Sequence, residues 1–105
     1  MNTEKIISII GGAGHVGLPL GLAFANKNFN VNLIDLNIEF LKKIKSGQMP
    51  FYEVGGNKIL LKCLKKNKIL FSNNLKTINK SKFIIVCVGT PIDSNFKPQV
   101  KKFKS

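Results

Sequence analysis

Gly12, Gly14 and Gly17 stand at the spacing G-x-G-x-x-G, within the run Ile6-Ile7-Ser8-Ile9-Ile10-Gly11-Gly12-Ala13-Gly14-His15-Val16-Gly17. Glycines react with nothing, so the chemistry open to them is recognition of an anion by bare backbone. In such a site the first glycine permits a tight turn and the second lets the backbone approach a pyrophosphate. The third lets the following helix pack close to the strand. A helix starting here aims free N–H groups and a positive dipole end at the phosphates, worth about 0.3–1 kcal/mol per exposed anionic group. Asp35 ends a second apolar run, Val31-Asn32-Leu33-Ile34, close to the interval for a carboxylate that accepts hydrogen bonds from an adenosine ribose. The same charge would repel the 2′-phosphate of NADP, so the cofactor expected is NAD. A tight strand-to-helix turn without a ligand would use the same glycines. What favours a dinucleotide is the buried-type strand before the motif, the helix after it and the acid in register.

Holding those residues in place needs strands and helices in alternation. Lys5 to Ile10 reads as a strand, nearly continuous in β-branched residues, as in a parallel sheet covered by helices on both faces. A helix is predicted from about His15 to Asn28, with Val16, Leu20, Ala23 and Phe24 toward the sheet and Pro19 near its first turn. Val31 to Ile34 is the second strand. Asn37 reads as an N-cap for a helix from Ile38 to about Ser46, which buries Leu41 and Ile44 and is ended by Gly47. The stretch from Met49 to Glu53 is non-helical, and Gly55-Gly56 follows it. A helix over Lys58 to Lys66 would turn Ile59, Leu60, Cys63 and Leu64 inward. Ile69 to Phe71 is a short strand, and Leu75 to Ser81 a short helix with Leu75 and Ile78 as its apolar contacts. Phe83 to Val88 is the clearest strand after the first, and ends in Gly89-Thr90-Pro91. The fold class expected is α/β, a Rossmann-type open parallel sheet of about four strands with flanking helices. The ends of its first and fourth strands meet at the topological switch point, so Val88, Gly89, Thr90 and Pro91 can reach a ligand held by the glycine loop. A plain strand-ending turn is the simpler reading of those residues.

The chain of 105 residues suits one small domain with one core, and 44% hydrophobic residues argue against disorder. A net charge of +12 raises the possibility of nucleic acid or an anionic membrane. The lysines are scattered, arginine is absent, and the aromatics fall in apolar segments. The guanidinium forks and stacking platforms of base readout are therefore missing, and neither a nucleic-acid nor a membrane partner is expected. Cys63 and Cys87 are too few and too far apart for a metal site and read as small core residues. The N-terminus shows no signal-peptide pattern and no apolar run reaches the length of a membrane span, so a cytoplasmic protein is expected.

Taken together, these blocks resemble the UDP-glucose/GDP-mannose dehydrogenase family at its N-terminal NAD-binding domain. Gly12-Ala13-Gly14-His15-Val16-Gly17-Leu18-Pro19-Leu20 is similar to the family's G-x-G-Y-V-G-L-P-L opening. Asp35-Leu36-Asn37 resembles its D-x-N, and Gly47-Gln48-Met49-Pro50-Phe51-Tyr52-Glu53 its G-x-x-P-x-x-E stretch. Val86-Cys87-Val88-Gly89-Thr90-Pro91 matches its V-x-V-G/N-T-P. The glycine triplet is generic; Gly-Leu-Pro after it and Val-Gly-Thr-Pro at the fourth strand are specific in combination.

The resemblance implies the cofactor half of an oxidation that takes a nucleotide sugar's C6 alcohol to a carboxylate with two NAD. Gly12, Ala13, Gly14, His15, Val16 and Gly17 would line the pyrophosphate and Asp35 would hold the ribose. Val88 to Pro91 would border the cofactor near the crevice. His15 stands where the family carries Tyr or Phe, and reads as packing or a phosphate contact rather than an acid–base group. Phe40 stands where some members have a basic residue near the ribose, and after Pro98 the chain departs from the family's P-D-L. The family's catalytic cysteine, lysine and asparagine, its dimerisation helix and its sugar-binding domain fall beyond the stretch resembled. No catalytic residue is therefore expected in this chain. Residues 1–95 are read as a partial NAD-binding domain and 96–105 as a basic, frayed tail, with an unpaired sheet edge left at the fourth strand. A nucleotide-sugar substrate is expected only with those missing parts; a companion chain would complete the sheet, and a homo-oligomer is what the resemblance implies for the full-length family. An inactive relict or split fragment and a small basic module without cofactor remain as alternatives.

Overall fold

The computed structural model describes residues 6–87. In chain order these form β1 (Ile6–Ile10), α1 (Gly17–Asn26), β2 (Asn30–Ile34), α2 (Ile38–Lys45), α3 (Gly56–Lys65), β3 (Ile69–Ser72), a 3-10 segment (Leu75–Lys80) and β4 (Phe83–Val86). The strands make one parallel four-stranded sheet in the order β3-β2-β1-β4. The chain steps from β1 to β2 to β3 in one direction, then returns past β1 to lay down β4. The reversal lies between β1 and β4, the Rossmann-type arrangement expected.

Strand register sorts side chains onto two unlike faces. Ile7 aligns with Val31 and Ile69, and Ile9 with Leu33 and Phe71. These rows meet Leu18, Leu22 and Ala25 of α1, Leu41 and Ile44 of α2, and Leu60 and Cys63 of α3 in one core. Fully burying an aliphatic side chain of this kind contributes roughly 1.5–3 kcal/mol. On the opposite face Ser8 aligns with Asn32, and both are buried. Asn32 Nδ2 donates to Thr77 Oγ1 of the 3-10 segment at 3.0 Å and lies 3.4 Å from Ser8 Oγ, while the Ser8 and Ser81 hydroxyls bond to each other. The sequence predicts helices on both faces; among the described residues the α-helices gather on one. Right-handed crossovers that step the same way across a sheet put their helices on the same side. Only the β3-to-β4 return reaches the other side, and it carries a 3-10 segment rather than an α-helix.

The buried face of α1 also differs from the expected one. Gly17, Leu18, Gly21, Leu22 and Ala25 are buried, whereas Val16 is 69% exposed and Ala23 is exposed. The helix rests on a stripe of small residues four apart. A Cβ on Gly21 would stand 2.7 Å from a Leu33 methyl, so a side chain there would have to displace that methyl for the backbone to lie so close to the sheet. Helix α1 begins at Gly17, later than predicted, and α3 begins earlier, at Gly56. Ile59, expected inward, is exposed on α3. Asn37 caps α2 as predicted, its side chain accepting from Phe40 N–H at 3.0 Å. Asn28 and Asn67 adopt positive φ just past α1 and α3, a conformation asparagine tolerates at helix ends. At the sheet's edge β4 exposes Phe83, Ile84 and Val86.

Candidate functional site

The loop between β1 and α1 lies at the C-terminal end of the sheet, beside the reversal in strand order. Its turn is made at Gly11, whose φ of +84° is a left-handed value that favours glycine. The sequence assigns that role to Gly12; Gly12 instead serves close approach, since a Cβ there would lie 2.9 Å from Leu33 Cα. The Gly11 and Gly12 N–H groups both donate to the Ile34 carbonyl, at 2.8 and 3.0 Å, which ties the loop to the end of β2. Gly17 allows α1 to start against that turn, where a Cβ would stand 2.2 Å from the Gly11 carbonyl oxygen. Gly14 is different. A Cβ there would meet only the Gly11 oxygen, at 3.4 Å, so the bare Cα faces open space on the side a ligand can approach.

The start of α1 has no side-chain cap and no acidic residue in its first turn. Pro19 falls in that turn, where its missing N–H leaves no bond unmade. The positive end of the helix therefore points out through the glycine loop with no counter-charge in its own first turn.

Asp35 follows β2 directly and turns its carboxylate onto the loop. Oδ2 accepts from Ala13 N–H at 3.0 Å and Oδ1 from Asn37 N–H at 2.9 Å. Each carboxylate oxygen has a second lone pair, so two further donors, such as vicinal hydroxyls, can still be accepted. Beside it opens an apolar cavity of about 400 Å³, bordered by Ile10, Gly11, Ile34, Leu36, Leu75 and Cys87 as well as Asp35. A flat aromatic base fits such a slot. A larger open cleft of about 570 Å³ follows the α2–α3 connection from Met49 to Lys58. It is bordered by neither the glycine loop nor Asp35, so the smaller cavity carries the site.

The structure thus brings Gly12, Ala13, Gly14, Gly17 and Asp35 together. His15 is exposed and its ring stacks on Phe51, centroids 4.1 Å apart and planes 21° from parallel. Val16 is exposed beside it. Phe40 packs against the core. Val88, Gly89, Thr90 and Pro91 lie outside the described residues. The strand that leads to them ends at the site: Cys87 N–H donates to the Ile10 carbonyl at 2.8 Å, and its own carbonyl abuts Gly11. Sequence reasoning missed Gly11, Leu36, Asn73 and Leu75. The doubled glycine was the available signal for Gly11; the others follow only from where β2 and β3 end.

A sequence profile described as the UDP-glucose/GDP-mannose dehydrogenase family, NAD binding domain, matches residues 5–105. The chain belongs to this family, in its NAD-binding domain. CapL of Staphylococcus aureus is 36% identical over 97 residues, 92% of this chain and 21% of that protein. The UDP-glucose 6-dehydrogenase of Rhizobium meliloti is 32% identical over 81 residues, 76% of this chain and 18% of that protein. The solved UDP-D-ManNAc dehydrogenase of Pyrococcus horikoshii superposes with a TM-score of 0.76 at 29% identity, over 86% of this chain and 21% of that one. The chain thus spans about a fifth of the length of each of these three relatives. The family domain binds NAD, and the open face at Gly14, the uncapped helix start and the apolar slot beside Asp35 fit that cofactor. Among the described residues no helix is long and apolar enough to cross a membrane.

Proposed function

We propose that this chain holds NAD across the sheet reversal as the cofactor half of a nucleotide-sugar 6-dehydrogenase. The diphosphate lies over Gly14 at the start of α1, the adenosine ribose on Asp35, and the adenine in the apolar slot between Leu36 and Leu75. The nicotinamide end then extends past the end of β4 toward Val88 to Pro91. When bound, NAD supplies a hydride acceptor. The chain's own residues orient it: Asp35 anchors the loop and the ribose at once, and the close seat of Gly17 holds the helix terminus behind the diphosphate. The relatives named above as UDP-glucose and UDP-D-ManNAc dehydrogenases support oxidation of a UDP-sugar, with GDP-mannose open through the family. On this reading the chain binds cofactor, and the groups that act on the sugar come from outside it. The exposed apolar edge of β4 supports a companion strand beside it.

The observation that carries this reading is the carboxylate of Asp35 bonded to the loop N–H of Ala13 at 3.0 Å. Fluorescence titration with NADH and NADPH tests it. NADH is expected to bind more tightly than NADPH, because Asp35 opposes a 2′-phosphate. Asp35→Asn should weaken NADH roughly tenfold, the loss of one charge-assisted hydrogen bond, and narrow the gap to NADPH. Equal affinities for both cofactors in both proteins would contradict the assignment. A DNA affinity that falls steeply with salt, without NADH binding, would favour the basic module instead.

A further inference from the structure

None of the residues of the 3-10 segment Leu75–Lys80 is buried, so apolar burial alone does not fix its place on the sheet. Its fixed points are polar. Asn32, buried in the middle of β2, donates through Nδ2 to Thr77 Oγ1 at 3.0 Å. The Thr77 hydroxyl passes the bond on, donating its own hydrogen to the Asn74 carbonyl at 2.8 Å. Asn74 caps the segment by accepting from Lys76 N–H at 2.9 Å, and its own N–H donates to Ser72 Oγ at 2.9 Å. A continuous bonded path therefore runs from the sheet interior through one hydroxyl to the backbone between Asn73 and Leu75. Those two residues line the same apolar cavity as Asp35.

We infer that Thr77 is a positioning residue for the adenosine half of the cofactor: held by Asn32, its hydroxyl sets where Asn73 and Leu75 stand against the ring. The inference rests on the dinucleotide reading above and adds a specificity device that the glycine loop does not contain. The hydroxyl needs both its bonds at once, one accepted and one donated, which serine reproduces and valine does not. Valine keeps the shape of threonine and leaves the Asn32 amide with only the 3.4 Å approach to Ser8.

The test titrates ADP-ribose into the full chain and its Thr77→Val, Thr77→Ser and Leu75→Ala variants, at a temperature where thermal scans show each folded. Thr77→Val should weaken ADP-ribose by up to about fivefold, the ceiling set by one neutral hydrogen bond when the freed wall must be re-ordered on binding, and Thr77→Ser should restore the parent value. In a Leu75→Ala background, adding Thr77→Val should cost less affinity than it does in the parent, because only Asn73 is left of the wall it positions. Should Thr77→Val fail to fold, Leu75→Ala and Thr77→Ser still decide: unchanged affinity in the first, or a valine-like loss in the second, overturns the inference. A lowered thermal midpoint with unchanged ADP-ribose affinity in Thr77→Val would show a structural tie only. If the parent chain binds neither ADP-ribose nor NADH, the dinucleotide reading fails and takes this inference with it. If the parent binds and Thr77→Val binds equally well, only this inference fails.

Discussion

Two alanine substitutions in the same loop should have opposite consequences. Gly17→Ala places a methyl 2.2 Å from the Gly11 carbonyl oxygen and 2.9 Å from its carbon, both backbone atoms that cannot swing away. Overpacking of this kind costs about 1–3 kcal/mol, and each kcal/mol lowers the Tm of a domain this size by roughly 4–8 °C. Gly14→Ala meets nothing nearer than the Gly11 oxygen at 3.4 Å, and Gly14 is not among the glycines at positive φ. The folded chain therefore tolerates it, and reduced freedom of the unfolded chain can add about 0.4–1 kcal/mol of stability. The new methyl points into the open face where the diphosphate approaches. Losing even one charged hydrogen bond there, worth about 1.5–3 kcal/mol, weakens NADH by roughly tenfold or more. Thermal scans and NADH titrations on the parent and both variants read the two effects separately. Gly14→Ala with an undiminished NADH affinity would refute the docking of a diphosphate on this loop, and Gly17→Ala with an unchanged Tm would refute the close seat of α1.

Other expectations follow from single contacts. Asn37→Ala removes the side-chain N-cap of α2 and should lower stability by about 1 kcal/mol in urea unfolding, as lost N-caps do; an unchanged midpoint would mean the bond to Phe40 N–H carries no weight. Cys63 is fully buried, and burial pushes its thiol above the ordinary range, against a smaller lowering by Lys66 and Lys62. The unfolded chain then loses that proton before the folded chain does. The stabilisation is whole below the unfolded thiol's pKa and is lost as pH rises toward the folded one. Unfolding free energies across alkaline pH should fall in the parent and fall less in Cys63→Ala; parallel curves would contradict this.

Much of this architecture could be read from residue patterns. The apolar runs at Ile6–Ile10 and Val31–Ile34 mark parallel strands, though the helices they suggest on both faces gather on one, and the glycines and acid at their ends mark where the candidate site lies. Asn37 announced its helix because the cap is a local bond. What resisted reading depended on distances between segments. The phase of α1 was misjudged because hydrophobic periodicity weighs large side chains, whereas Gly17, Gly21 and Ala25 face the sheet by being small. The motif counts its turn from Gly12, but the left-handed residue is Gly11, one step earlier, where a side chain would strike the Cys87 carbonyl. The polar face of β1 and β2 gave no local signal at all. Ser8 and Asn32 lie far apart in sequence and acquire meaning only once Thr77 and Ser81 are laid against them.

The central claim is that NAD docks its diphosphate where β1 gives way to α1. Amide chemical shifts of the isotope-labelled chain, followed through an NAD titration, test it most directly. The account predicts saturable shifts at Ala13, Gly14, His15, Val16 and Gly17, joined by Asp35, Leu36 and Leu75. Shifts confined to the lysine-bearing surfaces of α2 and α3, or absent altogether, would contradict it.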